Sequence, residues 1–182
     1  FYWLDNLATL IAKTTVPVIV KEVGFGMSRA TLAQLVAIGV QYVDLGGRGG
    51  TNFVEIENAR RPQRELDYLA GWGQSTVESL LESRAYQQQL TIYASGGVRQ
   101  PLDIIKALAL GAQAVGVAGT ILHHLQKDGM AATTNLLRGW IEQLRAICAL
   151  LGCRTISELP QKAELIFSPE LLSYMQQRQI KW

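Results

Sequence analysis

Two short stretches of the 182-residue sequence carry the residue types of an anion-binding turn. They are Ala94-Ser95-Gly96-Gly97-Val98-Arg99-Gln100-Pro101 and Ala118-Gly119-Thr120. The first follows the β-branched and aromatic run Leu90-Thr91-Ile92-Tyr93-Ala94 and opens a helical pattern at Pro101, a position where the missing N–H costs nothing. The second follows Ala114-Val115-Gly116-Val117-Ala118 and opens another helix. Glycine-bearing strand-to-helix turns in successive βα units can bring backbone N–H groups close to one anion. A barrel of parallel strands holds a phosphate after its last two strands in this way.

Other chemistry-bearing residues are sparse. Lys21 and Glu22 end the apolar run Val16-Pro17-Val18-Ile19-Val20, and Asp44 interrupts an otherwise apolar strand, where a carboxylate needs partners. Asp44 suits the orientation of the glycine turn after it better than the role of a base. His123 and His124 follow the second turn and read as surface or packing residues. Glu55, Glu57, Arg60, Arg61 and Arg64 sit in a charged stretch that composition alone makes a solvated surface. Cys148 and Cys153 are too few for a disulfide framework, and no Cys/His spacing fits zinc, so both read as reduced thiols.

The elements that must position these groups alternate strand and helix. A helix over residues 4–14 precedes a strand at 16–20, then a helix capped by Ser28 and stopped by Gly39. A strand at 41–45 runs into a glycine-rich turn at 46–51. Residues 52–73 lack a convincing period and read as a long loop, mobile before a ligand binds. Ser75-Thr76-Val77-Glu78 is a capping box for a helix to about Tyr86. Strands at 90–94 and 114–118 flank a helix from Pro101 to Leu110. A short helix from Thr120, a longer one over 132–151 and a last one from Ser168-Pro169-Glu170, expected outside the main core, complete the chain. The strands read as apolar on both faces, which is parallel α/β architecture. Four βα units make either half of a (β/α)8 TIM barrel or a small doubly wound sheet. The barrel is favoured because a lone sheet of this kind leaves two bare edges. Residues 1–152 read as the half-barrel and 153–182 as a C-terminal helical extension.

With 17 Lys+Arg against 15 Asp+Glu there is no charge excess that demands nucleic acid or an anionic membrane. No apolar run has the length of a membrane span and no charged leader precedes an apolar block, so a cytoplasmic protein is expected. The chain opens on Phe1-Tyr2-Trp3-Leu4, directly in a helical pattern and without methionine, which suggests residues upstream.

Several motifs, taken together, resemble the type 2 isopentenyl diphosphate isomerases, FMN enzymes on a (β/α)8 barrel. They run from Pro17-Val18-Ile19-Val20-Lys21-Glu22-Val23-Gly24-Phe25-Gly26-Met27 through Tyr42-Val43-Asp44, Gly49-Gly50-Thr51-Asn52-Phe53, Ile56-Glu57-Asn58 and Trp72-Gly73 to the two turns, in the family's order. The resemblance implies that this chain carries strands five to eight of the barrel. It implies a reaction between isopentenyl diphosphate and dimethylallyl diphosphate in isoprenoid biosynthesis, with reduced FMN as acid/base, Mg2+ near the diphosphate and NADPH as flavin reductant. It further implies a homo-oligomer, and an upstream half of the same barrel that supplies the catalytic residues and the metal ligand. None of those is expected in this chain, which by itself should not turn over.

By the same resemblance Gly97, Val98, Arg99, Ala118 and Gly119 match the FMN phosphate cradle, Lys21 the lysine beside the flavin, and Thr51 a flavin-contacting hydroxyl. The resemblance also places the charged residues of 55–61 near the substrate entrance or a subunit contact. One departure is Gly46, near which many members carry serine. Two other readings compete. An FMN-dependent 2-hydroxy acid oxidase on the same barrel would want a histidine on the strand-six-to-seven side, and both histidines come later. A non-catalytic phosphate-binding fragment is the third.

Overall fold

The computed structural model describes residues 2–182. Helix α1 (Trp3–Lys13) leads into strand β1 (Ile19–Lys21), helix α2 (Arg29–Ala37), strand β2 (Tyr42–Leu45) and helix α3 (Phe53–Arg60). Helix α4 (Thr76–Ser83), strand β3 (Thr91–Ala94), helix α5 (Pro101–Ala109) and strand β4 (Ala114–Val115) follow. Helices α6 (Gly119–Leu150), α7 (Leu159–Lys162) and α8 (Pro169–Gln177) close the chain.

The four strands form one parallel sheet in the order β1-β2-β3-β4, so each connection is a βα crossover to the next neighbour. Register runs Lys21 beside Asp44, Asp44 beside Tyr93, and Tyr93 beside Ala114. Local signals set the helix ends. Ser28 Oγ accepts from Thr31 N, and the Ser75–Glu78 capping box is complete. At the end of α6, Cys153 N donates to Cys148 O and Gly152 N to Ala149 O, the paired bonds that close a helix through a left-handed glycine.

Only one face of the sheet is buried. Val43, Leu45, Ile92 and Ala94 pack beneath Leu32 and Leu35 of α2 and Leu80 and Leu81 of α4. Each of these large side chains contributes about 1.5–3 kcal/mol through burial. Tyr42, Asp44, Thr91 and Tyr93 alternate with them and remain half-exposed on the other face. The expectation of strands apolar and buried on both faces is therefore corrected: the helices cover one side, and no layer among the described residues covers the other.

Two further expectations change. The stretch 52–73 is not a structureless loop. Asn52 Oδ1 accepts from Val54 N and Glu55 N and starts α3, a helix with no apolar stripe, which is why no period was visible. The two helices expected after β4 are both present within α6, separated by a kink where Gly129 leaves helical geometry at φ 78° and ψ 176°. The last helix does not lie outside the main core. Leu165, Phe167, Leu171 and the buried Met175 all join the main cluster.

Candidate functional site

The C-terminal ends of the four strands open into a cleft of about 840 Å3. All seven residues singled out from the sequence, Lys21, Thr51, Gly97, Val98, Arg99, Ala118 and Gly119, line it. Parallel pairing explains the convergence, because every strand delivers its following turn to the same end. The two turns are also tied directly: Thr120 Oγ1 donates to Val98 O at 2.9 Å, and Gly116 N to Ala94 O at 2.7 Å.

Backbone packing makes glycine necessary at position 50. A Cβ on Gly50 would meet Gly96 Cα at 2.9 Å, so the turn after β2 lies backbone-to-backbone on the turn after β3. Among the described residues, the N–H groups of Gly97, Val98 and Gly119 donate to no acceptor. They face a cleft at the start of α5 and α6, where helix dipoles favour an anion. Arg99 differs. Its N–H donates to Asp103 Oδ2 at 3.0 Å, leaving its exposed guanidinium as the group that can meet a phosphate.

Lys21 Nζ donates to Asp44 Oδ2 at 2.5 Å and to Ser95 Oγ at 2.7 Å, while Ser95 Oγ donates to Asp44 Oδ1 at 2.8 Å. Asp44 therefore serves Lys21 and Ser95 and does not orient the glycine turn. Neither Asp44 nor Ser95 was singled out as a site residue, although Ser95 lies two residues beyond Tyr93 and hence on Asp44's face of the sheet.

Glu22 turns back into its own loop. Its Oε2 accepts from the N–H groups of Gly24, Phe25 and Gly26 at 2.6–2.7 Å. Its Oε1 lies 2.0 Å from where a Cβ on Gly46 would stand. A larger residue at position 46 would therefore press on this carboxylate.

Gln74 joins both glycine loops to the scaffold. Its N–H donates to Phe25 O, its carbonyl accepts from Arg48 N, and its Nε2 donates to Tyr174 OH at 2.8 Å. Tyr174 OH in turn donates to Glu82 Oε1 at 2.9 Å, and Glu82, fully buried, also meets Arg178 Nε at 2.6 Å and Arg29 Nε at 3.2 Å. Burial pushes the Glu82 carboxyl up, but Arg178, Tyr174 and Arg29 outweigh it and hold the group below its ordinary value. Burial and the neighbouring carboxylate push the Tyr174 phenol up to about 12.

The charged stretch of α3 stays outside the cleft. Arg61 pairs with Glu57 and Glu65 on the exposed surface, where such pairs contribute little. His124 Nδ1 lies 2.9 Å from Asp128 Oδ2 and does not line the cleft. Among the described residues no three His, Cys, Asp or Glu side chains cluster as a metal site, and no helix is long and apolar enough to cross a membrane.

A parallel sheet of consecutive βα units, with a cleft at its C-terminal edge and glycine turns after its last two strands, is the architecture of part of a (β/α)8 barrel. The model of the FMN-dependent dehydrogenase family matches residues 1–166, and the chain belongs to that family. It is 55% identical over 180 residues to the isopentenyl-diphosphate delta-isomerase of Latilactobacillus sakei, and 51% identical over 178 residues to that of Staphylococcus aureus. These alignments cover 99% and 98% of the chain but 51% of each relative, so the chain spans about half their length. Among solved structures, it resembles a chimeric (S)-mandelate dehydrogenase (TM-score 0.68, 25% identity, 88% of this chain and 40% of that one). The flavin-binding domain of baker's yeast flavocytochrome b2 shares the fold (TM-score 0.60, 21% identity, 93% and 42%).

Proposed function

We propose that this chain supplies the FMN-binding portion of an isopentenyl-diphosphate delta-isomerase, a (β/α)8 enzyme that interconverts isopentenyl and dimethylallyl diphosphate. The observation that carries the proposal is the convergence of seven residues from four βα units on one cleft. The identity of 51–55% to isomerases supports it over a 2-hydroxy acid oxidase. The volume of the cleft suits a cofactor, and the free N–H groups beside an exposed guanidinium suit a phosphate.

When bound and reduced, FMN would supply an acid/base group able to give a proton to one carbon of the alkene and accept one from another, with no net redox change. The chain's own residues bind and orient. Gly97, Val98 and Gly119 offer backbone N–H groups and Arg99 its guanidinium to the phosphate, while Ala118 lets the second turn approach without a bulky side chain. Lys21 offers a fixed positive charge against a developing negative charge in the ring, worth more in a water-poor site than in bulk solvent. Thr51 offers a hydroxyl. Mg2+ beside the diphosphate, NADPH as reductant, the catalytic groups that face substrate and assembly into oligomers all belong to the rest of the proposal.

The test is conversion of isopentenyl diphosphate to dimethylallyl diphosphate, followed by the acid lability of the product, with FMN, NADPH and Mg2+ supplied. Turnover is expected where this chain is joined to the other half of its barrel, and none from these 182 residues alone. Absence of turnover in the joined protein, with FMN bound and reduced, would refute the assignment.

A further inference from the structure

Lysine is a flexible point charge, and at the end of an edge strand it would sample many positions. Lys21 is 56% exposed, yet two of its three donors are committed to Asp44 and Ser95. The three side chains come from β1, β2 and the turn after β3, and their hydrogen bonds close a ring.

That ring is redundant for the sheet. The strands are already joined by their backbone ladder, and the Ser95 backbone is held separately, because its N–H donates to Leu45 O and its carbonyl accepts from Thr76 Oγ1 at 2.9 Å. Exposed ion pairs add little to stability. What the ring does determine is where the Lys21 ammonium sits, with its third donor uncommitted at the wall of the cleft.

We infer that Asp44 and Ser95 are positioning residues: they fix the Lys21 ammonium against the flavin ring and thereby set how strongly the site prefers reduced over oxidised FMN. The inference rests on the proposed FMN site. It predicts an unusual sign. Asp44 is a negative charge beside the cleft, so its loss acting only through its own field would favour an anionic reduced flavin. Its loss acting through a released Lys21 would disfavour it.

The experiment measures FMN midpoint potential and the affinity for oxidised FMN in the protein and in Lys21→Met, Asp44→Ala, Ser95→Ala and Lys21→Met/Asp44→Ala. Lys21→Met is expected to lower the potential most. Asp44→Ala and Ser95→Ala should each reduce the preference for reduced FMN roughly tenfold, the size of a contact-pair coupling, which is about 30 mV lower for a two-electron couple. The double variant should not fall below Lys21→Met, because with no ammonium left to release only the field of Asp44 is lost. Ser95→Ala changes no charge and decides the question if Asp44→Ala does not fold.

A rise or no change in potential for Asp44→Ala or Ser95→Ala, while Lys21→Met falls, overturns the inference and leaves the FMN site standing. An unchanged potential in Lys21→Met removes Lys21 from the flavin and overturns the inference, whereas failure of the unsubstituted protein to bind FMN overturns the proposed FMN site.

Discussion

Replacing Glu82 by Gln removes the charge at the centre of the contact that docks α8 against α2 and α4. Breaking a buried ion pair from one side costs about 3–5 kcal/mol. Here the partners are 35% exposed (Arg29) and 46% exposed (Arg178), so water recovers part of the loss. Gln also still accepts from Tyr174, which brings the expected loss to about 2 kcal/mol at pH 7. With a urea slope of about 1–3 kcal/mol per molar, the midpoint should fall by roughly 1 M. The pH dependence has a definite sign. Glu82 is held below its ordinary value near 4.5 in the folded chain, so its contribution is full above that value and is lost as pH falls through the folded one. Urea unfolding followed by tryptophan fluorescence should therefore show the wild-type advantage at pH 7 and 5.5, and a shrinking advantage below about 4.5. A midpoint change under about 0.3 M at pH 7, or an advantage that grows on acidification, would refute the role assigned to Glu82.

The remaining expectations concern the glycines and one cap. Gly46→Ala places a Cβ 2.0 Å from Glu22 Oε1, whose partner oxygen is already held by three N–H groups, so overpacking should cost about 1–3 kcal/mol in urea unfolding. Gly97→Ala puts a Cβ at φ +74° and 3.2 Å from the Gly49 carbonyl, which should cost about 1–2 kcal/mol and weaken FMN binding in a fluorescence titration. Ser75→Ala removes half of the α4 capping box and should cost about 1 kcal/mol by the same unfolding assay, with FMN affinity preserved.

Much of this site was legible from residues alone because it is local. Glycines, Pro101 and Ser75 act within a turn or two of their own position, and strand ends of a parallel sheet converge whatever the details. What escaped depends on contacts across the chain. The partnership of Asp44 with Lys21 and Ser95 spans 23 and 51 residues and needs the strand register. The crowding at Gly46 comes from Glu22, just beyond the end of the neighbouring strand β1. The docking of α8 is invisible until Glu82, 92 residues from Tyr174, is seen buried beneath it. Helix α3 was hidden for another reason: it buries only Asn58, so it has no apolar stripe for a periodicity to report.

Binding of FMN compared with riboflavin, followed by quenching of flavin fluorescence, tests the phosphate cradle most directly. If the turns at 96–99 and 118–120 grip the phosphate, FMN should bind at least about a hundredfold more tightly than riboflavin, the weight of one or two charge-assisted hydrogen bonds. Arg99→Ala should close much of that gap. Equal affinities for the two flavins would contradict the assignment of these turns to the phosphate.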